Sequence, residues 1–186
     1  MAIYSNLIEK TPTKHIVVGT SKIKATNTGH LFDLVFESDV DNGVLAKAGE
    51  YTGNGYQERK ATLAGAKDEV VLIASVPLIY DQHTTEAQAE YNFYNKKGTI
   101  TRGYELVKDD VFAVSDYAFT TKVGDNGVEF GNYVICDGTG KYKEVAKASG
   151  STLTTTNGFV GQIIGFEKYQ YDKLVLIAVV QNTTIA

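Results

Sequence analysis

Apolar and polar positions along this chain fall into short runs bounded by glycine, asparagine or aspartate. The strand-like runs are His15–Val18, Leu31–Phe36, Val70–Val76, Val111–Val114, Tyr133–Cys136, Phe159–Phe166 and Leu174–Val180. None is long enough or suitably periodic for an amphipathic helix, and β-branched and aromatic residues dominate them. Val71–Val76 and Val175–Val180 are nearly continuously apolar. A strand of that kind is covered on both faces, so each run is expected at the centre of its sheet. Asn-Gly pairs at 42–43, 54–55, 126–127 and 157–158, with Asp137-Gly138, supply residues that accept the positive φ of tight hairpin turns.

The chain also repeats itself. Asp41-Asn42-Gly43-Val44 recurs as Asp125-Asn126-Gly127-Val128, and Gly49-Glu50-Tyr51 as Gly131-Asn132-Tyr133. Gly53-Asn54-Gly55 answers Gly138-Thr139-Gly140, and Tyr56-Gln57-Glu58 answers Tyr142-Lys143-Glu144. Asp68–Val76 answers Asp172–Val180, with six of nine positions identical. Blocks in one order signal a duplicated unit. The pattern therefore predicts an all-β fold of two related antiparallel β-units, of small sandwich or barrel type, joined by a connector with one short helix. The expected divisions are 1–30 (an extended N-terminal arm and first strand), 31–80 (first β-unit), 81–98 (connector) and 99–186 (second β-unit). Most of the extra length of the second copy falls between Ala146 and Asp172, which predicts an inserted exposed loop at 147–158, rich in Ser, Thr and Gly. The connector helix is expected near 86–97. Thr85-Glu86-Ala87-Gln88 forms a capping box, and Lys96-Lys97 precedes Gly98.

Composition adds exclusions. The 186 residues carry 12 Tyr, 8 Phe, 18 Gly and 2 Pro, with a net charge of -4 and a pI near 5.4. No basic face for nucleic acid is evident, and the longest apolar runs are too short to span a bilayer. The start shows no basic segment followed by an apolar stretch, so synthesis in the cytoplasm without a secretory leader is expected. Charge is uneven. Residues 1–30 hold Lys10, Lys14, Lys22 and Lys24 against Glu9, whereas 31–58 hold six carboxylates against Lys47 alone. Ordinary scatter of charge remains an equal reading of that contrast. Ile3, Tyr4, Leu7 and Ile8 cluster ahead of Pro12, which biases Thr11 toward extended backbone. An extended arm that lies on a neighbouring subunit or partner protein is the expectation.

Catalytic and metal-ligating patterns are hard to find. His15, His30 and His83 form no metal spacing with one another or with Cys136. Cys136 sits in an apolar run and reads as a buried hydrophobe. Gly138-Thr139-Gly140-Lys141 lacks the upstream glycine and following Ser or Thr of a phosphate loop. Glu37, Asp39 and Asp41 alternate and could offer oxygens to calcium, although a solvated strand end is the stronger reading. Asn182-Thr183-Thr184 matches a glycosylation acceptor but carries little weight without a secretion signal. No enzyme activity and no cofactor are expected.

Gly131-Asn132-Tyr133-Val134, Asp137-Gly138, Phe159-Val160-Gly161, Ile164-Gly165 and Leu174–Gln181 resemble segments of small structural proteins of tailed bacteriophages. The resemblance is to capsid decoration (cement) proteins and head-fibre bases, and it covers roughly residues 99–182. It implies a β-rich module that binds major capsid protein or another virion protein on the capsid surface, as a homo-oligomer and without catalytic residues. A tail or minor head protein is the neighbouring possibility. A glycan- or receptor-binding β-module is the alternative, with tyrosines as platforms in a chain that lacks tryptophan. The residues expected to meet a partner are Ile3, Tyr4, Leu7, Ile8, Lys10 and Lys14 of the arm, with Thr154, Thr155 and Asn157 of the inserted loop.

Overall fold

The computed structural model describes residues 15–24, 30–54, 56–77, 90–124, 127–169 and 172–185. The arm residues Ile3, Tyr4, Leu7, Ile8, Lys10 and Lys14 lie outside them, as do His83 and the capping box at 85–88.

Among the described residues the fold is all-β with one short helix. In chain order the strands are β1 (Val18–Lys22), β2 (Leu31–Val35), β3 (Val40–Asp41), β4 (Leu45–Tyr51), β5 (Glu58–Leu63), β6 (Val71–Ile73) and β7 (Tyr94–Asn95). They continue with β8 (Ile100–Glu105), β9 (Val111–Ser115), β10 (Phe119–Thr121), β11 (Tyr133–Cys136), β12 (Tyr142–Val145), β13 (Phe159–Tyr169) and β14 (Asp172–Asn182). Helix α1 spans Gly150–Thr156. Strands β2-β5-β4-β6-β8 close a five-stranded barrel, and β1-β9-β14-β13-β11-β12-β10 form a seven-stranded sheet. Strands β3 and β7 make a separate two-stranded pair.

Two related units are present, in a register different from the one the repeated blocks suggest. In the barrel, β2 runs parallel to β5, β5 pairs antiparallel with β4, β4 with β6 and β6 with β8. In the sheet, β10 runs parallel to β12, β12 pairs antiparallel with β11, β11 with β13 and β13 with β14. Backbone hydrogen bonds fix the equivalence. Gly43 N donates to Ile73 O (2.7 Å) and Ile73 N to Val44 O (3.0 Å). Gly131 N donates to Ile163 O (2.9 Å) and Ile163 N to Asn132 O (2.9 Å). Gly43 and Gly131 both hold positive φ, 78° and 83°, two residues before β4 and β11. This left-handed entry into the strand is the reason each is glycine.

Several expectations change accordingly. Strand β6 corresponds to β13 and not to β14, so Val71–Val76 and Val175–Val180 are not equivalent strands. Each unit carries one parallel pair among its antiparallel ones. Strand β8 completes the first unit, so residues 100–105 belong with 31–80 and not with the second unit. The first strand, β1, pairs with β9 in the second unit's sheet. The apolar run 71–76 stops as a strand at Ile73, and Val76 is exposed. In the connector, the described residues show a 3-10 turn at Glu90–Asn92 and then β7, so the helix expected near 86–97 does not cover 90–97.

The inserted loop at 147–158 is a 3-10 turn at Lys147–Ser149 followed by α1. Its threonines are weak helix formers, and Thr152, Thr155 and Thr156 bond back to carbonyls three or four residues earlier. Tertiary contacts override that weakness. Leu153 is buried, and the Gln181 carboxamide donates to Thr154 O (2.8 Å) and Asn157 O (3.2 Å). Gly158 is not a hairpin glycine either. A Cβ there would stand 2.2 Å from Asp68 O, so the two units meet at this point too closely for any side chain.

One core serves both units. Leu34, Leu72, Phe112, Phe159, Ile163 and Ile177 belong to the same buried cluster. Tyr142 lies at its middle, with ring centroids 5.6 Å from Phe119, 6.1 Å from Phe112 and 6.4 Å from Phe159. Burial pushes its hydroxyl pKa well above the usual value, with a smaller push from Cys136, so the group stays protonated. It donates to Gly43 O of the other unit at 2.8 Å. Asn182 ties the units again, accepting from Val70 N (2.8 Å) and donating to Val70 O (2.8 Å) and Leu106 O (2.9 Å).

Candidate functional site

The polar and aromatic groups that converge most clearly lie at one end of the barrel. Side chains alternate across a strand, so register decides which of them meet. A Cβ on Gly103 would collide with Leu34 Cδ1 and Val71 Cγ1, which places position 103 on the barrel's inner side. Phe32 stands directly opposite Gly103, and Leu34, two residues on, is fully buried. Phe32 and Leu34 therefore share one side of β2, Gly103 and Glu105 share one side of β8, and His30, just ahead of β2, meets Glu105. Arg59 neighbours Leu34 across the parallel β2–β5 pair and lies on the same inner side. A register shift between Ala48 and Tyr51 brings Tyr51 opposite Arg59.

These residues form a mouth. The Arg59 guanidinium carbon lies 4.5 Å from the Tyr51 ring centroid and 5.2 Å from that of Phe32. Both distances are within cation–π range. Arg59 Nη2 also donates to Tyr51 Oη at 2.9 Å. Among the described residues no carboxylate pairs with Arg59, and the remaining guanidinium N–H groups have no protein acceptor. Tyr51 stays 61% exposed. At the neighbouring corner His30 Nδ1 and Glu105 Oε2 are 2.5 Å apart. A planar cation fixed between two rings is pre-organised for a flat, two-oxygen anion, because little side-chain freedom remains to be lost on binding.

A second surface lies on the outer side of the seven-stranded sheet. It is a trough of about 290 Å³ floored by Val17, Ala113, Leu174 and Leu176, with Tyr169 beside it. Lys22 and Glu167 face each other at its rim, 3.6 Å apart. Glycine and alanine at positions 19 and 113 leave the space that larger residues would fill.

Other polar clusters are structural. Glu144 is buried and accepts from Val123 N (2.7 Å), Glu129 N (2.8 Å) and Asn132 Nδ2 (2.8 Å), which pins the loop ahead of β11. His15 stacks on Tyr94 and pairs with Asp41 at 2.6 Å. Asp39 accepts from Lys97 N at 2.8 Å, and Glu37 is exposed, so the three acids weighed as calcium ligands meet different surroundings. Among the described residues no group of three or more His, Cys, Asp or Glu could hold a metal ion. Cys136 is buried, as its sequence context suggests, with Sγ against Ala64 O at 3.3 Å. Burial raises its pKa.

Of the loop residues expected to meet a partner, Thr155 is exposed and Thr154 half-buried. Asn157 is corrected to a structural role. It is buried, and its side chain donates to Leu153 O (3.1 Å) and Thr156 Oγ1 (2.8 Å) at the end of α1. The sequence reading missed Arg59 altogether. Its only signal was a lone arginine close to Tyr51 and Tyr56 in a tyrosine-rich stretch. No helix among the described residues is long and apolar enough to cross a membrane. No protein-family model, curated protein or solved structure matches the chain.

Proposed function

We propose that this chain is a structural protein of a tailed-phage virion, which decorates or stabilises the capsid by binding major capsid protein as part of a homo-oligomer. The observation that carries this reading is where the phage-like segments fall. Residues 131–134, 159–165 and 174–181 are scattered in sequence, yet they lie on or at the start of β11, β13 and β14, three adjacent strands of one sheet. The resemblance therefore coincides with a continuous folded surface. The outer side of that sheet carries the apolar trough, and the apolar cluster Ile3, Tyr4, Leu7 and Ile8 precedes Val17 of its floor in the sequence. Burying such side chains against shell protein would contribute roughly 1.5–3 kcal/mol each before ordering costs.

The test is mass spectrometry of density-purified phage particles from the source of the sequence, followed by rebinding of recombinant protein to particles stripped of it. The expected result is a stoichiometric virion component whose rebinding weakens when residues 1–9 are removed. Absence from the particle fraction overturns the reading. A glycan- or receptor-binding module is the second reading, and the Arg59 mouth supports it.

A further inference from the structure

We propose that the barrel mouth formed by Phe32, Tyr51, Arg59, His30 and Glu105 is a binding site for a carboxylate-bearing sugar, such as a hexuronate unit of an acidic polysaccharide. The argument joins three features. The first is a guanidinium held between the Tyr51 and Phe32 rings, with most of its N–H donors free of protein acceptors. Such a fork donates to both oxygens of a carboxylate. The second is the Tyr51 ring, stacked on Arg59 and 61% exposed. A flat, exposed aromatic surface is a platform for the C–H face of a pyranose. The third is the His30–Glu105 pair on the same side of the barrel. It offers both a donor and an acceptor to ring hydroxyls. Ligands commonly enter at the mouths of β-barrels, where a few convergent polar groups sit on apolar walls.

The chemistry selects among anions. A bare phosphate could use Arg59 but would leave the Tyr51 face and the His30–Glu105 pair without a partner. A neutral sugar could use the ring and the pair but would leave the guanidinium unmatched. A uronic acid engages all three. The site belongs to the barrel, apart from the sheet trough, so it does not depend on the chain being a virion component.

The experiment is calorimetric titration of the full chain with a hexuronate oligosaccharide, its carboxyl-reduced neutral counterpart and inorganic phosphate. The Arg59→Gln and Tyr51→Ala variants are titrated alongside. The acidic oligosaccharide should bind with an affinity that falls as salt rises. Arg59→Gln should weaken it about tenfold or more, as expected for loss of a charge-assisted pair. Tyr51→Ala should weaken the acidic and the neutral sugar alike. Unchanged far-UV circular dichroism and melting temperature show that each variant is folded. If Arg59→Gln does not fold, Arg59→Lys serves, because it keeps the charge and loses the fork. The proposal is overturned if the acidic oligosaccharide does not bind, if the neutral one binds as tightly, if phosphate displaces it at equal concentration, or if the folded Arg59 variant binds unchanged.

Discussion

Replacing Glu144 by Gln should destabilise the protein by several times what a surface substitution does, although the two side chains have nearly the same shape. Glu144 Oε1 accepts from Glu129 N and Asn132 Nδ2, and Oε2 accepts from Val123 N. A glutamine can keep its carbonyl oxygen where Oε1 stands and retain both of those donors. Its amide must then occupy the Oε2 position and point N–H groups at the Val123 N–H. One charge-assisted hydrogen bond is lost, and a backbone donor faces another donor in a site that is 2% exposed. The cost is roughly 2–4 kcal/mol, from the lost bond and the orphaned amide together. For a chain of this size that lowers Tm by roughly 6–12 °C. Urea unfolding followed by circular dichroism gives the stability, and hydrogen exchange gives the location, with the Val123 amide losing protection first. A loss below about 1 kcal/mol, with that amide still protected, would refute the view that Glu144 organises the loop.

Asn182→Ala removes three hydrogen bonds to Val70 and Leu106 and should cost roughly 2–4 kcal/mol; because one core serves both units, tyrosine fluorescence and circular dichroism should still report one shared transition, and two separate transitions would contradict the single core. Gly158→Ala forces a Cβ against Asp68 O and Lys67 O, so a loss of about 1–3 kcal/mol is expected from overpacking; a variant that melts like the parent would show that the contact is slack. The Asp68 pKa is lowered, chiefly by its hydrogen bond to Lys47 and also by Gly65 N, against opposing desolvation. A depressed folded pKa means stability that is present at neutral pH and lost as pH falls through that lowered value. Asp68→Asn should therefore flatten the acid limb of the stability–pH curve, and an unchanged limb measured by urea titration would remove Asp68 from the account.

The all-β class and the core strands were legible because burial and period-two patterning are local properties, and the repeated blocks signalled two units. The register of the repeat was not. Asp68–Val76 and Asp172–Val180 share six of nine residues, yet β6 and β14 hold different places. Both are flanked by a neighbouring strand on each edge and carry a buried face, and that environment selects Val, Leu, Ile and Ala whatever the topology. The true equivalence rests on Gly43 and Gly131, whose neighbours Asn42 and Phe130 share nothing. Asn-Gly pairs misled for a related reason. At 157–158 the glycine answers a backbone approach from Asp68, a tertiary fact that a local turn signal cannot carry. The Arg59 site was invisible because its parts come from β2, β4, β5 and β8, and only the pairing register brings them together.

The two units diverge where their strands differ in length. Strand β2 has five residues and pairs along its whole length with β8, which closes the barrel. Its counterpart β10 has three residues and stays at the edge of the sheet, while β14 pairs instead with β9 at five consecutive positions. Strand β9 precedes β10 as β1 precedes β2, and these two leading strands pair antiparallel with each other, Val18 with Val114 and Gly19 with Ala113. Closure has a chemical consequence. The approach of His30 to Glu105 and of Phe32 to Gly103 exists only because β2 meets β8. Carrying the register Ala46↔Leu63 onto Val134↔Glu144 places Gly140 where Arg59 stands. Gly140 holds positive φ, and a Cβ there would stand 2.6 Å from Leu45 O, so no arginine could replace it. In the second unit the position that carries the cation in the first is a glycine that packs one unit against the other.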